Sequence, residues 1–139
     1  MQNLIHKAAR LIAEQNTAFL SSIDENGFPN TKAMLPPRKM EGIKTIYFST
    51  NTSSKRVAQF RMNDKACLYF VNRPAFEGVM LIGTMEVLED SNFKEMLWQK
   101  GDELYYPSGI TDPDYCVLKF TTLKGRYYSN LKSADFDIS

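Results

Sequence analysis

The segment Phe48-Ser49-Thr50-Asn51-Thr52-Ser53-Ser54-Lys55-Arg56 has the residue types and spacing of an anion site. It runs from the end of a strand-like stretch into the start of a helical one. A helix start presents unpaired backbone N–H groups and the positive end of the helix dipole. The hydroxyls of Ser49, Thr50 and Ser54 add hydrogen-bond donors there. Lys55 and Arg56 put two cations in the first helical turn, a placement unfavourable for the helix alone. A bound phosphate would offset that cost. A capped helix carrying two solvated basic residues fits the same spacing, so the residues by themselves leave both readings open. The glycines of a P-loop or of a GxGxxG fingerprint are absent.

Other chemistry is sparse. Lys32 stands among small and apolar residues in Asn30-Thr31-Lys32-Ala33-Met34. From there it could reach a phosphate or ring oxygen, or simply face water from an edge strand. The aromatics are numerous, and Tyr105 and Tyr106, just before Pro107, are the ones least easily assigned to a core. His6 is the chain's one histidine, and Cys67 and Cys116 are its two cysteines. That set fits no zinc spacing, disulfide framework or Ser-His-Asp triad, so no metal site is expected. No carboxylate pair at a defined spacing supports hydrolytic acid–base chemistry.

The elements that must position these residues follow from periodicity. Leu4, Ile5, Ala8, Leu11 and Ile12 predict an amphipathic helix over residues 2–16. Residues 17–23 and 29–34 predict strands joined by a turn at Asn26-Gly27. Residues 35–42, with Pro36-Pro37 and Gly42, predict a loop. A strand over 44–50 leads into a helix over 55–62. Strands over 65–71 and 77–88 follow, and Gly83 marks a bulge or bend in the second. A helix over 91–100, a loop over 105–113 and strands over 115–121 and 125–128 complete the order. Many short strands with few helices favour a small closed or half-closed barrel in a single domain over 1–139.

Composition narrows the function. The 139 residues carry a net charge of +1, with 43% hydrophobic and 24% charged residues, as in a globular protein. That balance provides no basic stripe for nucleic acid and no polybasic patch for a membrane. Apolar runs such as Val79–Ile82 are far too short to span a bilayer. The first residues lack the apolar centre of a signal peptide, so a cytoplasmic location is expected.

The succession of TKAM (Thr31–Met34), FSTNTSSKR (Phe48–Arg56), GTMEVL (Gly83–Leu88) and YYPSGITDPDYCVLKF (Tyr105–Phe120) resembles the pyridoxamine 5'-phosphate oxidase-like family. Within that family it is most similar to the short general stress protein branch. The resemblance implies a mainly β, α+β fold: a six-stranded antiparallel split β-barrel with a few flanking helices. It implies a homodimer with FMN at the subunit interface. Lys32 then corresponds to a basic residue reaching the FMN phosphate or ribityl chain. A lysine makes a single-point contact where an arginine at this position would make a bidentate one. Ala33 and Met34 correspond to backbone along the isoalloxazine edge, and Ser49 and Thr50 to a strand-end pair near the flavin. Ser54, Lys55 and Arg56 correspond to the phosphate-binding helix start. Tyr105 corresponds to an aromatic beside the ring, supplied by the partner subunit. The family's true oxidases end in a segment containing Arg and His, whereas residues 125–139 contain no His. The implied activity is therefore an FMN-dependent oxidoreductase acting on a small molecule other than pyridoxamine phosphate, with NAD(P)H as a candidate donor. A non-catalytic flavin-storage or stress-response role is the alternative.

Overall fold

The structure is a computed structural model and describes residues 2–138. The helical spacing at the N-terminus produces α1 (Gln2–Glu14), which buries Ala8, Leu11 and Ile12. Period-two alternation produces β1 (Ala18–Ile23), whose Ala18, Leu20 and Ser22 point inward. A turn containing Gly27, at φ +84°, leads to β2 (Pro29–Met34). The Asp24 carboxylate fastens this turn by accepting from the N–H groups of Asn26 and Phe28, each at 2.9 Å.

Residues 39–41 of the expected loop form a short strand, β3 (Lys39–Glu41), on the edge of β4 (Thr45–Asn51). Ser54 caps α2 (Lys55–Met62), its Oγ accepting from the Val57 N–H at 3.3 Å. Next come β5 (Lys65–Asn72), β6 (Glu77–Leu88) and α3 (Ser91–Leu97). Helix α3 ends at Leu97 where residues 91–100 were expected, a 3-10 turn follows at Asp102–Leu104, and the expected loop over 105–113 contains another at Gly109–Thr111. β7 (Tyr115–Ser129) is one strand where two were expected, and β8 (Lys132–Asp137) was not expected at all.

All these strands join one antiparallel sheet with eight strands in place of the expected six. Its path is β2-β1-β5-β6-β7-β4-β3, with β8 attached to β7. The path does not close, so the architecture is an open, mainly antiparallel sheet flanked by three helices. The inward face collects Leu20, Phe48, Leu68, Phe70, Leu81, Phe120 and Phe136 with Leu11 and Ile12 of α1. Burying each such side chain contributes about 1.5–3 kcal/mol.

Gly83 explains why β7 is continuous. The β6–β7 register shifts there: Ile82 pairs with Lys124 while Gly83 pairs with Thr122, leaving Leu123 as the extra residue of a bulge. Before the bulge, the far edge of β7 pairs with β4 through residues 115–121. After it, that edge pairs with β8 through residues 124–129. A Cβ on Gly83 would lie 1.9 Å from the Thr121 carbonyl oxygen, a backbone atom that cannot swing aside. Gly83→Ala is therefore expected to cost about 3 kcal/mol or more. Urea denaturation checks this, and an unchanged midpoint would mean that the bulge relaxes freely.

Candidate functional site

The ends of β2 and β4, the start of α2 and the segment after α3 enclose a cleft of about 430 Å³. Strand β2 contributes Ala33 and Met34, and Leu35 and Pro36 continue the wall. Strand β4 contributes Phe48–Asn51, and α2 contributes Arg56. Arg38, Asp102, Tyr105, Tyr106 and Asp114 close the far side.

Six of the expected site residues are thus brought together: Ala33, Met34, Ser49, Thr50, Arg56 and Tyr105. Lys32 is an exposed residue of the terminal strand, in register with Leu20, and does not line the cleft. The Ser54 hydroxyl is used by the helix cap. Lys55 lines a different cleft along α2.

The polar atoms of the cleft divide into satisfied and unsatisfied sets. Arg56 Nη2 donates to Thr50 Oγ1 at 3.4 Å, while its Nε is buried without a partner among the described residues. Burial lowers the Arg56 pKa from its ordinary value, which lies far enough above neutrality for the group to remain a cation. Ser49 Oγ lies beside the Tyr115 hydroxyl, whose proton is committed to the Lys94 carbonyl at 2.7 Å. Ser49 Oγ is itself buried, with no hydrogen-bond partner within 3.5 Å among the described residues. Leaving such groups unpaired costs about 1–3 kcal/mol each unless something outside the chain satisfies them.

On the opposite wall Arg38 and Asp102 pair with each other. Arg38 grips Asp102 with two hydrogen bonds, of 2.8 and 2.9 Å, and also donates to the Leu97 carbonyl at 3.0 Å. Asp102 further accepts from the Gln99 N–H at 2.9 Å. The Arg38 guanidinium holds the Asp102 carboxyl below the usual carboxylate range, and Asp102 in turn raises Arg38. Tyr105 and Tyr106 both donate their backbone N–H to the Asp102 carbonyl at 2.9 Å, so the ion pair anchors the turn that carries them. The Tyr106 ring packs on Trp98 and Tyr115, at centroid distances of 6.4 and 5.0 Å. Burial pushes its phenol up to about 12, so it stays a neutral hydroxyl at physiological pH. Tyr105 is 75% exposed at the mouth. Asp114 ties β7 to the β4–α2 turn, its carboxylate accepting from the Ser53 N–H at 2.8 Å.

Arg38, Asp102, Tyr106 and Asp114 were not among the expected site residues. Arg38 and Asp102 are 64 positions apart, a separation that no local pattern encodes. The available signals were weak: Tyr106 adjoins Tyr105, and Arg38 directly follows Pro36-Pro37.

Arg38→Ala is expected to destabilise the chain by roughly 3 kcal/mol, because it leaves the mostly buried Asp102 carboxylate unpaired. Asp102 is held below its ordinary 3.8, so its contribution is present above that pH and is lost as pH falls through the lower folded value. Denaturation midpoints at pH 7 and pH 3 check this. The difference between native and variant proteins should shrink in acid, and an equal difference at both pH values would refute the assignment.

An open antiparallel sheet that brings β2, at one edge, and β4, next to the other, to this cleft defines the split-barrel class. The chain belongs to the family whose model is described as pyridoxamine 5'-phosphate oxidase, which matches residues 4–129. Its fold is similar to that of a Clostridium acetobutylicum protein described as related to general stress protein 26 of B. subtilis. That structure is 43% identical, with a TM-score of 0.89 over 99% of this chain and 96% of the other. General Stress Protein 26 from Bacillus anthracis shares the fold at 19% identity, with a TM-score of 0.76 over 96% of this chain and 99% of that one. A heme binding protein from Mycobacterium smegmatis also shares it, at 14% identity and a TM-score of 0.78. That match covers 96% of this chain and 57% of the other. Among curated proteins no match was found. No helix is long and apolar enough to cross a membrane among the described residues.

Proposed function

We propose that this chain is an FMN-binding flavoprotein that acts as an oxidoreductase on a small molecule. The observation that carries this reading is the cleft in which Ser49 Oγ and Arg56 Nε are buried and unpaired. Both are donors, and an anionic, oxygen-rich cofactor would satisfy both. Arg56 would hold the phosphate by charge-assisted hydrogen bonds, with Thr50 fixing its guanidinium. The backbone of Ala33 and Met34 would lie along the ring edge, and Tyr105 and Tyr106 would offer flat apolar faces to the ring. Lys32, Ser54 and Lys55 flank this arrangement, supplying positive field and the helix cap. Bound FMN supplies hydride or electron transfer to a small-molecule substrate, with NAD(P)H as the candidate donor, while the protein supplies binding, orientation and a shielded cleft.

The side chains favour flavin over haem. His6 is the only imidazole, and it stands exposed on α1, away from the cleft.

Two measurements test the cofactor. Purified protein, or protein mixed with FMN, is expected to show a flavin absorption spectrum. Arg56→Ala is expected to weaken FMN about tenfold or more in a fluorescence titration. A colourless protein that takes up no FMN would overturn the reading.

The same reading places the flavin between two copies of the chain in a homodimer. The outer sheet face carries a shallow apolar depression of about 580 Å³ with Cys67, Ile82 and Leu123 in its wall, and Tyr69 stands exposed on the same face. Light scattering of the flavin-loaded protein is expected to give twice the 15.9 kDa of one chain. A monomeric mass would remove the partner subunit from the site.

A further inference from the structure

The cofactor reading leaves part of the cleft unused. Leu35 and Tyr105, 74% and 75% exposed, stand at its mouth, and Pro36 continues the wall beside Leu35. Exposed apolar side chains scattered singly need no explanation, but these share one opening. Tyr106 is half-buried in the same wall. Its ring is held against Trp98 and Tyr115, which fixes where the hydroxyl stands. That hydroxyl makes no hydrogen bond among the described residues, and it is a neutral donor because burial pushes the phenol up.

The charges of the wall are already engaged. Its charged residues are Arg38, Arg56, Asp102 and Asp114. Arg38 and Asp102 hold each other, and Asp114 accepts from the Ser53 N–H at 2.8 Å. In the flavin reading Arg56 takes the cofactor phosphate. A phosphate, carboxylate or sulfonate on a second molecule therefore finds no spare cation in the wall, and an ammonium group finds no carboxylate without a partner. Placing an unpaired charge in such a cleft is costly. What remains is an apolar opening with one neutral hydroxyl donor.

We propose that the substrate of this cleft is a quinone, an uncharged flat molecule whose carbonyl accepts from the Tyr106 hydroxyl while its ring packs on Leu35, Pro36 and Tyr105. The inference rests on the flavin reading and names its substrate class. Among uncharged flat carbonyl compounds, quinones accept a hydride readily because the product ring is aromatic. The quinone takes up a hydride and a proton, and its two carbonyls become hydroxyls. The hydride comes from the reduced flavin, which returns to its oxidised form, and the proton comes from water. A nicotinamide donor reduces the flavin for the next cycle. The Tyr106 hydroxyl stabilises the carbonyl oxygen on which negative charge develops.

Flavin-loaded protein, kept free of air, tests this with two quinones, neutral menadione and anionic naphthoquinone sulfonate. Equilibrium dialysis against the oxidised protein reads binding. Return of the flavin absorption band after dithionite reduction reads the reaction, with rates taken per bound flavin. Menadione is expected to bind about tenfold or more tighter than the sulfonate. Leu35→Lys, at an exposed position, adds the missing cation and is expected to narrow that preference to about twofold or less. Tyr106→Phe keeps the ring and loses the hydroxyl. It is expected to weaken menadione binding about fivefold and to slow reoxidation by menadione about tenfold or more. Equal binding of the two quinones, or an unchanged Tyr106→Phe, in protein that holds flavin would overturn the inference and leave the FMN reading standing. Protein that holds no flavin would overturn both.

Discussion

The bulge at Leu123 is the constraint on which the rest of the sheet depends. One strand of fifteen residues has to serve two different neighbours along a single edge. Without the extra residue, β7 would keep one register and one twist, and β4 and β8 could not both find its edge. The bulge increases local twist and turns the strand between the two pairings. Thr122, fully buried at that corner, pins it by donating its hydroxyl to the Ile43 carbonyl at 2.5 Å, and its N–H bonds the Lys44 carbonyl at 2.8 Å. These bonds set the entry to β4. Strand β4 then delivers Ser49 and Thr50 to the cleft at its other end. The glycine opposite the bulge and the hydroxyl at the site are thus linked through one strand pairing, Thr45–Asn51 on Tyr115–Thr121.

The cleft sits where this rigid sheet meets a segment with little regular structure. The Trp98–Asp114 connection has only short 3-10 turns, and bonds to the rest of the chain hold it in place, among them Lys94 to the Asp112 carbonyl and the Ser53 N–H to Asp114. The Arg38–Asp102 ion pair does so as well, with each charge also bonded to backbone. This use of charge is orienting: both groups are satisfied within the chain, which leaves Arg56 as the cation in the cleft wall with hydrogen-bonding capacity to spare. One wall is thereby a finished scaffold, and the other is an incomplete set of donors.

Sequence reading succeeded where a signal was local and repeated. The bounds of β2, α2 and β6 match those expected, because alternation, capping serines and flanking turns agree there. Gly83 announced its bulge, although the extra residue belongs to the partner strand. β8 escaped because KSADFD buries only Phe136, which seats its ring against Gly125 and leaves no alternation to read. β3 escaped because three residues beside two prolines look like loop until β4 is there to pair with them. The same logic divides the site. The FSTNTSSKR run was legible because strand end, cap and helix start are contiguous. Its two cations were indistinguishable on paper, and only the rotation of one residue to the next around α2 sends Lys55 and Arg56 into separate clefts. The Arg38–Asp102 pair was invisible because nothing in the chain between them fixes their distance.

Strand β2 ends the sheet and has a strand neighbour on one side only. Its other side presents peptide N–H and C=O groups, the same row whatever side chains the strand carries. A wall built from such an edge leaves Ala33 and Met34 free to vary in sequence while the groups offered by the main chain persist. A fold with such an edge can therefore diverge widely in sequence without rebuilding the scaffold. The fold itself persists in structures at 14–19% identity.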